Sequence, residues 1–69
     1  MSAPLSPAVL DAVERILSDA VGLTPAEIHR RLGLWAAATV RQALRELVAA
    51  GRATFDGPDG ARSYRRCAA

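Results

Sequence analysis

Arg41, Gln42 and Arg45 fall within about one helical turn, and Arg62, Arg65 and Arg66 form a second basic group near the C-terminus. Arginine can give two parallel hydrogen bonds to guanine, and glutamine can exchange two with adenine. Ala38 and Thr39, just upstream, are small enough to let a backbone come close, and an alanine methyl can touch the methyl of thymine. Arg62, Arg65 and Arg66 suit another task, holding phosphates or entering a narrow minor groove. Plainer readings stand beside these. Arg41, Gln42 and Arg45 are good helix formers for a solvated face, and charges on a strand edge discourage aggregation.

The charge distribution sharpens the choice. Residues 1–28 carry Asp11, Glu14, Asp19 and Glu27 against Arg15 alone, whereas residues 29–69 carry eight arginines against Glu46, Asp56 and Asp59. The formal net charge is +2, so the two parts hold about −3 and +5. A pI near 9.5 with its positive charge gathered in one half points to a polyanionic partner, nucleic acid before membrane. Every basic side chain is arginine and none is lysine, which fits either a GC-rich coding sequence or a demand for bidentate contacts.

Enzyme chemistry finds few of its parts. His29 is the sole histidine and has no paired carboxylate in the sequence around it, so it reads as a surface helix residue. Cys67, the one cysteine, has no neighbouring base and excludes both an intrachain disulfide and a cysteine-based zinc cluster. Gly57 to Gly60 precedes a strand and not a helix, so it is not a phosphate-binding glycine loop. The expectation is a protein that is not an enzyme, with no cofactor and no metal.

The elements that must position the arginines follow from periodicity and punctuation. Ser6 then Pro7 is a helix start. Val9, Leu10, Val13, Ile16, Leu17, Ala20 and Val21 recur at helical steps, which predicts a first helix over about 7–21, stopped by Gly22. Thr24-Pro25-Ala26-Glu27 is a capping box with proline at the first helical position, flanked by Leu23 and Ile28. It predicts a short second helix over about 25–32, closed by Gly33. Val40, Ala43, Leu44, Leu47 and Val48 define the inner face of a third helix over about 36–50, ended by Gly51. At about 100° per residue its opposite side carries Ala38, Gln42 and Arg45, flanked by Thr39 and Arg41.

Beyond Gly51 the period falls to two, with turn formers Asp56 to Gly60 in the middle, so residues 52–66 read as a β-hairpin. A lone hairpin is marginal in water, so Phe55 and Tyr64 should lie back on the helices. Residues 1–5 read as a flexible arm and residues 67–69 as a tail. At 69 residues with 51% hydrophobics but only 4% aromatics, the chain is one small domain with an aliphatic core. Its longest uncharged stretches, 1–10 and 32–40, fall far short of the roughly 20 residues that cross a bilayer. A cytoplasmic setting is the expectation.

This order of elements resembles the winged helix-turn-helix family of small bacterial DNA-binding domains. The residues that carry the resemblance are Leu23 to Ile28 with Leu32-Gly33-Leu34, Thr39 to Leu47 with Gly51, and Arg62 to Arg66 after the turn. The resemblance spans residues 7–66. It implies a mainly α fold of three helices with a β-hairpin wing, and a very short first strand at Gly22 and Leu23. The function expected with it is a small transcriptional regulator acting on double-stranded DNA, and a homodimer is the expected assembly, although the chain has no room for the dimerisation helix or effector domain that many family regulators add. Helix 3 would read the major groove through Ala38, Thr39, Arg41, Gln42 and Arg45, and the wing would meet backbone or minor groove through Arg62, Arg65 and Arg66. Arg30, Arg31 and Trp35 are candidates for backbone or partner contact; Trp35 equally suits the core edge beside Leu34 and Ile28. The link Leu34 to Ala38 departs from the family by lacking a Ser, Thr or Asp cap. The alternative is a winged helix used for protein contact or as an accessory domain of a DNA-processing system, docking through Trp35 and the apolar edge of helix 1.

Overall fold

The structure is a computed structural model that describes residues 6–58 and 60–67. The expected arm, residues 1–5, and the last two tail residues lie outside the described residues. Helix α1 is Pro7–Ile16, with Ser6 as its N-cap. Its apolar spacing continues to Val21, but the helix does not, and the reason is Ser18. The Ser18 hydroxyl accepts from the backbone N–H of Ala20 (3.0 Å) and of Val21 (3.3 Å), a local turn that competes with helical hydrogen bonding. Leu17 leaves the helix in an extended conformation yet stays buried, whereas Val21 is 64% exposed. The expected extension to residue 21 and the core role of Ala20 and Val21 are therefore overturned.

Gly22 does not cap α1 either. It lies against the segment at Ser63, where a Cβ on it would meet Ser63 Cβ at 2.6 Å, so glycine is required by the closeness of the two segments. The next residue, Leu23, exchanges two backbone hydrogen bonds with Tyr64 (3.0 and 2.8 Å), forming the single-residue strand expected there.

Helix α2 is Pro25–Leu32 and starts as the capping box dictates: Thr24 Oγ1 accepts from Glu27 N–H (3.2 Å), while Glu27 Oε1 accepts from Thr24 N–H (3.0 Å). Gly33 closes it, its N–H reaching the carbonyl of His29. Helix α3 is Ala37–Ala49 and begins without a side-chain cap at Ala36. Its far end is better finished. Gly51 N–H bonds to Val48 O (3.0 Å) and Arg52 N–H to Leu47 O (2.8 Å), a Schellman closure for which Gly51 adopts φ 76°.

Strands β1 (Ala53–Asp56) and β2 (Ser63–Arg66) pair antiparallel, with Phe55 opposite Tyr64 and Ala53 opposite Arg66. Tyr64 is buried among the helices, as expected. Phe55 is not: it stays 37% exposed, its ring 5.6 Å from that of Tyr64 across the hairpin. Cys67 is less a tail than expected, since its N–H donates to Arg52 O (3.0 Å).

The core is aliphatic. Val9 and Val13 from α1, Leu17 just after it, Leu23, Ile28 from α2, and Val40, Ala43, Leu44 and Leu47 from α3 are buried together with Ala53 and Tyr64. Each buried Leu, Ile or Val contributes about 1.5–3 kcal/mol relative to exposure. A bidentate Arg52–Glu14 pair, with Nε at 3.0 Å from Oε2, ties the start of the hairpin to α1. The arrangement is a three-helix winged helix-turn-helix, mainly α with one small hairpin. Among the described residues no helix is long and apolar enough to cross a membrane.

Candidate functional site

Burial of Val40, Ala43, Leu44 and Leu47 turns the opposite side of α3 outward, and the side chains expected there are there. Ala38, Arg41 and Arg45 are exposed, and Thr39 and Gln42 are half-buried. The elements around α3 then divide these residues between grooves. Arg41 and Arg45 share a groove of about 470 Å³ with Arg62 and Tyr64 of the wing, its tip residues Gly60 and Ala61, and Thr24, Pro25 and Ala26 at the start of α2. Gln42 lies on the other flank, where it lines a shallower groove of about 410 Å³ with Arg45, Glu46 and Ala49. Arg45 borders both.

Arg62 reaches this groove because of the hairpin register. Immediately before β2, its guanidinium stacks on Phe55, 4.5 Å from the ring centroid, which directs it along the wing. Arg65 and Arg66 are placed otherwise. Arg65 donates to Asp56 at 2.6 Å, across the hairpin, and Arg66 is exposed with its N–H on the carbonyl of Ser18 (2.9 Å). Neither lines the groove that holds Arg62.

A third groove of about 540 Å³ runs between α2 and the start of α3, lined by Pro25, Ala26, His29, Arg30, Gly33, Ala37 and Arg41. Arg31 is exposed. Trp35 precedes α3, outside the helix, and is half-buried against the core, whereas its neighbour Leu34 is 80% exposed. Leu34 therefore does not share the core edge with Trp35.

The one carboxyl near the start of α2 is already occupied. Glu27 is held below the ordinary glutamate range, chiefly by the Thr24 backbone N–H, then by the Thr24 hydroxyl, with the charges of Arg31 and Arg30 adding to it. No carboxylate contributes to the lining of the Arg41–Arg45–Arg62 groove or of the α2–α3 groove among the described residues. Acidic side chains instead pair elsewhere, Asp11 with Arg15, Glu14 with Arg52 and Asp56 with Arg65. The site is suited to holding an anion by guanidinium groups. No group of three metal-binding side chains exists among the described residues.

Sequence reasoning missed the walls of the site. Thr24, Pro25, Ala26 and Tyr64 look purely structural in the sequence, and His29 looks like a surface residue; only the packing of α2 and the wing against α3 makes them lining. The capping box was the one available signal, since it fixes where α2 begins. No protein-family model, curated protein or solved structure matches the chain.

Proposed function

We propose that the chain is a double-stranded DNA-binding protein, a small transcriptional regulator that lays α3 in the major groove and sets its wing against the backbone or minor groove. The observation that carries the reading is the groove in which Arg41 and Arg45 of α3 meet Arg62 of the wing with no carboxylate in its described lining. A B-form major groove is about 12 Å wide and admits one helix, so an exposed helix face with arginines flanked by a basic wing fits it. Gln42 and Arg45, on the outward ridge, are assigned to base edges, with Ala38 and Thr39 allowing close approach. As a homodimer the domain would meet two half-sites about one helical turn apart.

The test is a titration of variants against a selected duplex and a random duplex at several salt concentrations, after circular dichroism shows an intact fold. Gln42→Ala and Arg45→Ala are expected to narrow the difference between the duplexes, by about 1–3 kcal/mol for a bidentate contact. Arg62→Ala is expected to weaken both duplexes alike and to lower the slope of log affinity against log salt by about 0.9, the share of one neutralised phosphate. Wild-type binding by all three variants would remove α3 and the wing as the DNA surface.

One observation favours a second reading, a protein-docking module: Leu34 is 80% exposed beside the half-buried Trp35. Binding to random duplex at low salt separates the two, because a basic reading face must show non-specific affinity.

A further inference from the structure

The grooves on the two sides of Arg41 adjoin in a trough that has the start of α2 as a shared wall. The Arg41–Arg45–Arg62 groove and the α2–α3 groove share Pro25, Ala26 and Arg41, and among the described residues Arg41 is the only charged one common to both. Along it the described lining supplies Arg62, Arg45, Arg41, Arg30 and His29, from three elements, and no acid. Arg41 itself is exposed and has no carboxylate within ion-pair distance among the described residues. Its position differs in kind from that of Arg45. Arg45 borders the grooves on both flanks of α3 and so stands on the ridge, whereas Arg41 lines the two grooves walled by α2.

That difference decides what each arginine can reach. Base edges lie on the floor of a major groove and are met by the ridge of an inserted helix; the sugar-phosphate strands rise on either side and meet its flanks. A guanidinium in a flank trough faces phosphate oxygens, for which its forked donors are well matched.

We propose that the trough is a phosphate seat centred on Arg41, so that Arg41 holds a phosphate oxyanion and not a base edge. As a statement about DNA this rests on the function proposed above. The same chemistry would also take a free phosphorylated ligand, and the experiment separates the two sources.

In one arm, pyrophosphate is added to the isotope-labelled protein at low salt and the side-chain Nε–Hε signals of the arginines are followed. A saturable shift at Arg41, absent in Arg41→Gln, is expected. In the other arm, Arg41→Gln and Arg41→Lys are titrated with the selected and the random duplex across salt concentrations, their folds checked by circular dichroism. Arg41→Gln is expected to weaken both duplexes by the same factor and to lower the salt slope by about 0.9. Arg41→Lys, which keeps the charge, is expected to restore most of the slope and affinity. A variant Arg41→Gln that narrows discrimination with its slope intact overturns the proposal, since that is the signature of a base contact. If the wild-type protein binds neither duplex, the DNA reading fails by itself. The pyrophosphate arm then decides the seat: a saturable shift at Arg41 supports a free phosphorylated ligand, and no shift overturns it.

Discussion

Thr24 and Glu27 exchange three hydrogen bonds, two through backbone N–H groups and one between the side chains at 3.0 Å. Two of them, from the Thr24 N–H and the Thr24 hydroxyl, bind the ionised carboxylate and lower its pKa, and the sign of the pH effect follows. The charged cap contributes fully above the ordinary glutamate range and is lost as pH falls through the lowered value. Thr24→Ala is expected to cost about 1 kcal/mol at neutral pH, which for a domain this small lowers Tm by roughly 4–8 °C. Part of the gap between variant and wild type, the share of the hydroxyl–carboxylate bond, should be lost as the carboxylate is protonated, while the share of the Glu27 N–H bond to Thr24 Oγ1 persists. Thermal melts from neutral into acid pH check both, and a gap that does not change with pH would separate the Glu27 carboxylate from the Thr24 hydroxyl. At this scale much of the site was legible. Arg41, Gln42 and Arg45 follow from the helical angle once Val40, Leu44 and Leu47 define the inner face. Arg62 was legible as a wing residue but not as a neighbour of Arg41 and Arg45, because its direction depends on stacking against Phe55, whose alternation in the sequence points to the helices instead.

Elements whose ends are written in side-chain chemistry were legible, and those ended by competition were not. The capping box and Gly33 bound α2 on both sides, and Gly51 closes α3 with two hydrogen bonds. By contrast α1 stops at Ile16 against its own apolar periodicity, because one hydroxyl, on Ser18, holds two amides that a longer helix would need. The misreading of Gly22 follows from that of α1: a glycine after an apolar run looks like a helix stop, whereas its real constraint is the 2.6 Å approach a Cβ would make to Ser63. Gly22→Ala is therefore expected to destabilise by about 1–3 kcal/mol through overpacking. Pairing it with Ser63→Gly, which removes the opposing Cβ, should recover much of the loss in urea unfolding. Equal midpoints for Gly22→Ala and wild type would show that the chains can part without cost.

The whole molecule divides its apolar residues into those that hold it together and those that do not, and two substitutions of the same kind expose the division. Leu44 is fully buried at the centre of α3, so Leu44→Asp places an unpaired charge in the core at a cost of several kcal/mol and is expected to abolish the cooperative melt. Val21 lies in the Ser18 turn with most of its surface in water, so Val21→Asp is expected to melt within about 0.5 kcal/mol of wild type. A folded Leu44→Asp variant, or an unfolded Val21→Asp one, would contradict the core as drawn. The paired hydrogen bonds between Leu23 and Tyr64 bear on motion. They fasten the middle of β2 to the segment that leads into α2, so the wing is anchored on both edges of that strand and cannot open as an independent unit. The amide protons of Leu23 and Tyr64, both in this bridge, are expected to exchange more slowly with solvent than those of the hairpin turn. A wing held in this way has its orientation already set, so any ligand it took would cost it little ordering entropy.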